Sequence, residues 1–360
     1  MGSFKSFERY GLLKYRTAIL SALHLLVDMY CAVLFFGFIA GKDAAWRAMV
    51  IYNACAFAGQ APIGALADKL ANGLAVAACG CVLLAAAWLF TSNPIVCAVI
   101  LGLGNGAFHA GGGWSVLYNH GERARELGVF VSTGAIGLYC GTADAALFAK
   151  SGVVFAGLFV SFAGLLVYLS TVESRYMRME CGMELEPSLE VPKGGALALF
   201  CLTAVVILRA FIGSTECFSI AGMPGSAAVL CVAGGKAIGG FVTDGIGTRK
   251  TSLISLLPCA VMVLIGTATA SGQVIRLVSL LLFNMTMPIT LYAAARLLKG
   301  ARGFAFGLLT FGLFVGYIPR FMGADTSALP QCFYALLIML SLALLIVGLR
   351  LEPKRAKRCD

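Results

Sequence analysis

Residues 17–40 read TAILSALHLLVDMYCAVLFFGFIA, an apolar run of 24 residues that contains one histidine, His24, and one acid, Asp28. A helix needs ~20 apolar residues to cross a bilayer, whereas the apolar core of a signal peptide spans only ~7–15. The run therefore predicts a transmembrane helix that stays in the protein. His24 and Asp28 are four residues apart, so both side chains lie on one face of that helix.

The rest of the chain repeats this pattern. Of its 360 residues, 60% are hydrophobic and 12% are charged, and the mean hydropathy is +0.90. A water-soluble domain could not carry so much apolar surface. We therefore predict an all-α polytopic membrane protein with about twelve transmembrane helices in two six-helix halves. The predicted spans are residues 17–40, 46–67, 74–91, 94–117, 127–149, 152–172, 195–216, 219–243, 251–270, 274–294, 303–321 and 329–349.

The longest polar segment, residues 173–194, divides the chain into an N-terminal half, residues 1–172, and a C-terminal half with a basic tail, residues 195–360. We interpret this segment as a cytoplasmic linker. If the N-terminus is inside, cytoplasmic segments hold twenty Lys and Arg residues and external loops hold five. The positive-inside rule then predicts a multi-pass protein of the plasma (inner) membrane with both termini cytoplasmic. The net charge of +10 reflects this orientation and contact with anionic membrane lipid, and not nucleic-acid binding, because the basic residues are dispersed.

Two short motifs stand at equivalent places in the two halves. Residues 64–69 read GALADK at the end of the second predicted span, and residues 240–250 read GFVTDGIGTRK at the end of the eighth. An acid at such a turn can accept hydrogen bonds from the N-terminus of a neighbouring helix, and nearby cations can pair across the seam between the halves. We therefore predict a conformational latch, in which loss of the second acid is the more damaging because its motif is more complete. The latch residues are Gly64, Asp68, Gly240, Asp244, Gly247 and Arg249.

The recurrence of Gly, Asp, Gly and basic residues after two equivalent helices resembles the loop signature of the major facilitator superfamily. In the first copy, Ala71 and Asn72 stand where Gly and Arg are usual. Further segments resemble the fosmidomycin-resistance group of drug-efflux transporters over about residues 20–145. These segments are residues 24–29 (HLLVDM), 102–109 (GLGNGAFH), 123–128 (RARELG) and the series Gly134, Gly137 and Gly141. The resemblance implies efflux by antiport, although Ala110-Gly111 and Gly141-Thr142 depart from the motifs of that group.

Ionisable side chains at membrane depth are costly unless they are paired or face water, so each is a functional candidate. Counting along the predicted helices, Asp28 lies roughly 16 Å from the start of its span and His109 lies roughly 12 Å from the end of the fourth span. We predict a proton-coupling site formed by His24, Asp28 and His109. In the superfamily that the chain resembles, helices 1, 4, 7 and 10 line a central cavity, which implies cavity roles for further polar residues. These residues are Asn105, Arg209, Glu216 and Asn284.

Some of these assignments have alternatives. Asp28 could stay ionised against a buried cation such as Arg209 and serve only structure or substrate binding. Glu216 could belong to the external boundary, or it could be neutralised by Arg209. Lys236 could extend toward the cytoplasmic side instead of binding a ligand.

The sequence predicts a secondary transporter, not an enzyme, which moves a small organic solute by alternating access and is coupled to protons. A buried arginine favours a carboxylate or phosphate partner, so we expect an amphipathic or weakly anionic solute. We expect no cofactor and no metal, and we expect a monomer. A non-transporting sensor with a transporter fold is the alternative. A membrane-embedded hydrolase that uses His109 with Ser115 is disfavoured, because no second glycine follows Gly113 at the nucleophile-elbow spacing.

Overall fold

We describe the protein from a computed structural model that covers residues 15–120, 123–176, 192–218, 225–265 and 272–351. All regular secondary structure among these residues is helical. The first six long helices are Arg16–Ile39 (α1), Ala45–Leu70 (α2), Gly73–Phe90 (α3), Pro94–His120 (α4), Ala124–Ala143 (α5) and Gly152–Tyr176 (α6). The second six are Gly195–Gly213 (α7), Gly225–Ile246 (α8), Thr248–Ile265 (α9), Gly272–Leu297 (α10), Arg302–Phe321 (α11) and Gln331–Arg350 (α12). Residues 1–14, 177–191 and 352–360, which include both termini and most of the predicted linker, lie outside the described residues.

Eleven helices in the described part of the chain are long and apolar enough to cross a membrane. The remaining long helix, α5, has 20 residues, which gives a length of about 30 Å and is also sufficient. Its hydropathy is lower because Arg125 and Glu126 occupy its first turn and glycines recur along it. The prediction of an all-α polytopic membrane protein is confirmed.

Several boundaries differ from the predicted spans, and three of them lie beside charged residues. α6 continues through Glu173 to Tyr176, and the Glu173 carboxylate pairs with the guanidinium of Arg16 on α1. α7 ends at Gly213, and Glu216 lies beyond it in a separate helical turn, Glu216–Phe218. α5 ends at Ala143, and a short helix, Ala145–Ala149, follows it.

Two interruptions place polar residues at mid-span. A π-helical turn, Ala54–Ala58, breaks α2 shortly before Gln60. α10 is broken at Met285, between its segments Gly272–Asn284 and Thr286–Leu297. Such turns inside membrane helices are tolerated where the backbone faces protein or a cavity, and they often accompany functional sites.

The helices pack as pairs within and between the two halves. In the first half α1 packs on α5, and α3 packs on α4 and α6. In the second half α7 packs on α11 and α12, α8 on α10, and α9 on α12. The most extensive contacts between the halves run along two seams, α2 with α11 and α5 with α8. These four helices therefore form most of the interface between the two halves.

Candidate functional site

The centre of the site is a cluster of three side chains from α1 and α4. One helical turn separates His24 and Asp28 on α1, and the His24 Nε2 lies 3.2 Å from the Asp28 Oδ2. His109 reaches in from α4, with its Nε2 3.4 Å from the Asp28 Oδ1 and 2.8 Å from the His24 Nε2. The structure thus brings together the three residues that the sequence predicts as a proton-coupling site. The coupling role itself remains a prediction.

The other nitrogen of each imidazole fixes its protonation pattern. The His24 Nδ1 lies 2.7 Å from the carbonyl oxygen of Phe130, and the His109 Nδ1 lies 2.9 Å from that of Asn105. A carbonyl oxygen can only accept, so each Nδ1 carries a hydrogen and donates it. In the neutral rings both Nε2 atoms are then lone-pair acceptors that face each other and Asp28. A proton placed on one Nε2 would be hydrogen-bonded by the other, so the geometry suits the binding of one proton.

Two neighbours hold this cluster in place. Asn105, buried on α4, donates from its Nδ2 to the Asp28 Oδ1 over 3.1 Å. It is not among the residues that line the cavity described next, contrary to its predicted role. On α5, Gly134 leaves the space that the cluster needs, because a Cβ built on it would overlap the His24 Nε2 and the Asp28 Oδ2. The two imidazole nitrogens and a carboxylate oxygen lie within 4.8 Å of one another, so they could also hold a metal ion.

The cluster opens onto a cavity of about 340 Å³ that both halves line. Its polar residues include His24, Asp28 and His109 on the first half, and Arg209, Lys236 and Asn284 on the second. The remaining wall is mostly apolar and aromatic. Its members include Phe57, Val131, Leu138, Val206, Phe283, Met287, Leu291, Phe306, Leu313 and Tyr317.

Arg209 is buried on α7, with 7% of its surface exposed, and has no acidic partner within 4.0 Å among the described residues. It donates to the hydroxyls of Thr286 and Thr290 on α10, at 3.3 and 3.0 Å, and its Nε has no partner. The alternative in which Arg209 neutralises Glu216 is not observed, because Glu216 lies exposed beyond the end of α7 and does not line the cavity. The prediction that Glu216 lines the cavity is therefore wrong.

Lys236 and Asn284 both reach the cavity. Lys236, on α8, makes no hydrogen bond or ion pair with any other described residue, and it lines the cavity instead of extending to a helix end. Asn284 donates its Nδ2 to the Leu280 carbonyl oxygen over 2.8 Å. A further polar residue, Gln60, was not predicted from the sequence. It is fully buried on α2, lines the cavity and has an Oε1 without a partner.

The first latch motif joins α2 to α11. The Asp68 carboxylate accepts the backbone N–H groups of Gly303 and Phe304, both at 2.8 Å. These are the second and third residues of α11, whose own preceding residue, Ala301, provides no side-chain cap. Asp68 therefore caps the N-terminus of a helix in the other half. Close approach at this seam requires glycine, since a Cβ on Gly64 would overlap the backbone of Gly303.

The second motif repeats this arrangement between α8 and α5. The Asp244 carboxylate accepts the N–H groups of Ala124 and Arg125, at 2.8 and 3.2 Å, where Arg123 offers no side-chain cap of its own. A Cβ on Gly240 would crowd the same first turn of α5. We call the end of the bundle that holds Asp68 and Asp244 the latch end.

Other motif residues serve their own half. Gly247, three residues after Asp244, has a φ of +88° just beyond the end of α8, a conformation that glycine adopts easily. Ala71, three residues after Asp68, has a φ of +48° at the equivalent place. Arg249 donates to the Leu349 carbonyl oxygen of α12 over 3.1 Å, so it does not cross the seam as expected. A cation that does cross is Arg302, which donates to the carbonyl oxygens of residues 117 and 118 at the end of α4.

No protein-family model and no curated protein sequence matches this chain. Solved structures do match it. The human organic anion transporter MFSD10 (TETRAN) superposes with a TM-score of 0.69 at 13% identity, over 92% of this chain and 99% of that chain. The fucose:proton symporter FucP of E. coli gives a TM-score of 0.62 at 14% identity, over 94% and 98%. A bacterial homologue of the iron transporter ferroportin, in its outward-facing state, gives 0.60 at 14% identity, over 93% and 98%.

These similarities establish the architecture. The chain has the fold of the major facilitator superfamily transporters, with two seams between its halves and a cavity at their interface. At 13–14% identity the comparison shows the fold and not the cargo.

Proposed function

We propose that this protein is a secondary transporter of small organic anions that works by alternating access and is coupled to protons. The observation that carries the proposal is the cavity between the halves, in which two cations without acidic partners face a histidine–aspartate cluster. Cations that stay unpaired at membrane depth are expensive, so a partner that arrives with the substrate explains why they are present. The apolar and aromatic wall suits the hydrocarbon part of an amphipathic solute.

Alternating access requires a state that is closed at one end. At the latch end, Asp68 and Asp244 accept four backbone N–H groups across the two seams. At the opposite end, Trp46 donates one hydrogen bond to the Phe321 carbonyl oxygen over 2.8 Å. The cavity also extends to Gly213, the last residue of α7, at that opposite end. We infer that the latch end is cytoplasmic and closed, and that the solute enters from the other side.

The proton would bind at the cluster of His24, Asp28 and His109. Both Nε2 atoms face the carboxylate and each other, and the imidazole titrates near pH 6.5 in water, close to physiological pH. A divalent cation could use the same atoms. We favour the proton, because Arg209 and Lys236 already add positive charge to the same cavity, and a divalent cation would add twice the charge that a proton adds.

The fosmidomycin-resistance resemblance stays a hypothesis about kinship. It supports the assignment of α1, α4 and α5 as the proton-handling helices, since its motifs lie there. The resemblance also implies efflux by antiport, and the cavity geometry gives no support for that direction or that sign of coupling.

Vesicle flux tests the proposal. Purified protein in proteoliposomes, with and without a pH gradient, would be given labelled benzenesulfonate, 4-phenylbutanoate and phenylphosphonate. The uncharged benzenesulfonamide and 4-phenylbutanamide serve as controls, and protein-free vesicles measure passive leak. We expect saturable uptake of at least one anion and none of the amides. Binding without flux would favour the sensor alternative, and the absence of both binding and flux for every anion would overturn the proposal.

A further inference from the structure

The two cations of the cavity differ in how firmly they are held. The Arg209 guanidinium is fixed by Thr286 and Thr290 on α10. The Lys236 ammonium has no hydrogen bond or ion pair to the rest of the described chain. Lysine carries a compact charge on a flexible stem of four carbons, so its ammonium can choose among nearby anions.

Lys236 lines the same cavity as Asp28, Arg209 and His109. Asp28 is the only acid in the wall formed by the described residues. The anions that Lys236 can approach are therefore Asp28 and the carboxylate, sulfonate or phosphonate of a bound solute. Lys236 sits on α8, in the second half, whereas Asp28 sits on α1, in the first.

We propose that Lys236 exchanges between Asp28 and the substrate anion, so that a proton on the His24–Asp28–His109 cluster and the anion bind cooperatively. This inference rests on the proposed function. Once the cluster holds a proton, its attraction for the ammonium falls and Lys236 is free to bind the anion. Binding is reciprocal, so the anion raises the affinity of the cluster for the proton by the same factor.

The formal charges of the cavity also favour cooperative binding of the proton and the anion. With both imidazoles neutral, one carboxylate faces two cations, which leaves one positive charge in the empty cavity. A proton alone would raise this charge, whereas a proton that arrives with a monoanion leaves it unchanged. Joint binding is therefore favoured over separate binding, which is the sign of a symporter. An antiporter requires the opposite, because its two ligands must exclude each other.

The surroundings of Lys236 contain no competing acid at mid-span among the described residues. α8 packs on α5, α9 and α10, and the charged side chains of those helices lie near their ends. They are Arg125, Glu126, Arg249, Lys250, Arg276 and Arg296. The tyrosines and cysteines on α8, on these helices and on the cavity wall include Tyr139, Tyr292, Tyr317, Cys140 and Cys231. Among the described residues, the acid and the histidines that line the cavity with Lys236 are those of the cluster.

The test measures how the affinity of purified protein for benzenesulfonate depends on pH. Sulfonate stays ionised throughout, so any pH dependence belongs to the protein, and benzenesulfonamide controls for changes in the apolar wall. We expect the wild-type affinity to rise about tenfold between about pH 8 and pH 5.5. In Lys236→Gln the rise should fall below about twofold, and Lys236→Arg should restore part of it. Lys236→Met replaces the glutamine variant if that protein does not fold.

Two further variants separate this relay from simple charge repulsion. Asp28→Asn should bind benzenesulfonate at neutral pH with the affinity that the wild type reaches in acid. Arg209→Gln should bind more weakly at every pH but keep the same rise on acidification, because Arg209 is held by threonines and not by Asp28. An unchanged rise in Lys236→Gln, or an affinity that falls on acidification, would overturn the inference and leave the proposed function standing. If the wild type binds none of the three anions, the proposed function fails and the inference fails with it.

Discussion

Replacement of Asp68 by asparagine should shift the protein toward the state that is open at the latch end. The carboxylate uses two oxygens to cap Gly303 and Phe304, both at 2.8 Å, and only 9% of the residue is exposed. Asparagine offers one oxygen, so one N–H group loses its acceptor and the helix end loses a negative charge. A hydrogen bond to a charged group contributes about 2 kcal/mol, which corresponds to a change of about thirtyfold in an equilibrium constant. The open state gains nothing comparable, because Asp68 is then hydrated.

Spin-label distances measure this shift directly. The labels would be placed at Lys69 and Lys299, two exposed residues that flank the capped turn from α2 and from the loop before α11. The protein has thirteen cysteines, so both labels require a cysteine-free background that is shown to fold. In Asp68→Asn we expect a longer-distance population to grow at the expense of the shorter one.

The matched control is Asp325→Asn. Asp325 also accepts a backbone N–H, that of Ser327 at 2.9 Å, but both residues belong to the loop after α11 and the bond crosses no seam. Its distance distribution should equal that of the wild type. A folded Asp68→Asn protein with an unchanged distribution would refute the latch.

Further predictions concern the cavity, the turn and the orientation. Asp28→Asn should abolish accumulation driven by a pH gradient while solute exchange at equal concentrations persists; accumulation that survives would exclude the cluster as the proton site. Arg209→Gln should weaken anion binding by about thirtyfold, measured by calorimetry, because a charged donor is lost. Ala71→Gly should stabilise the protein by about 0.5–1 kcal/mol in thermal unfolding, since alanine is strained at a φ of +48°. An unchanged stability would show that Ala71 is not strained. A cysteine at Ser188 should resist an impermeant reagent applied outside intact cells, and labelling would reverse the proposed orientation.

The geometry alters the expected order of the two latch acids. The sequence favours Asp244 as the more important, because its motif is more complete. In the structure Asp68 is buried and its two hydrogen bonds are equally short, whereas Asp244 is partly exposed and one of its bonds is 3.2 Å long. We therefore expect Asp68→Asn to be at least as damaging as Asp244→Asn.

Features that depend on local spacing could be predicted from the sequence. Runs of apolar residues longer than a bilayer is thick identify the spans, and the four-residue spacing of His24 and Asp28 places them on one face. Because the rise per residue of a helix is constant, the sequence also places His109 at a membrane depth similar to that of the His24–Asp28 pair. These arguments use only distances along one helix or across a membrane of known thickness.

Features that depend on which helices touch could not be predicted in this way. The partner of Asp68 is 235 residues away along the chain, and nothing near Asp68 identifies it. Gln60 was not predicted, because the sequence does not show whether a glutamine in an apolar span faces the cavity or the lipid. The π-helical turn before it also changes the helix face on which the following residues lie. Glu216 was misplaced because α7 ends at Gly213, and helix ends are the least certain feature of a sequence.

The charge distribution between the halves connects the latches to the cavity. The first half contributes a carboxylate whose partners are all its own, His24, His109 and Asn105. The second half contributes Arg209 and Lys236, which have no acid of their own within reach. An anion that binds these cations therefore draws the second half toward the first, while the capped seams at the latch end resist any rearrangement. An uncapped seam and a loaded cavity should favour the same transition, so Asp68→Asn and anion binding should shift the spin-label distances in the same direction.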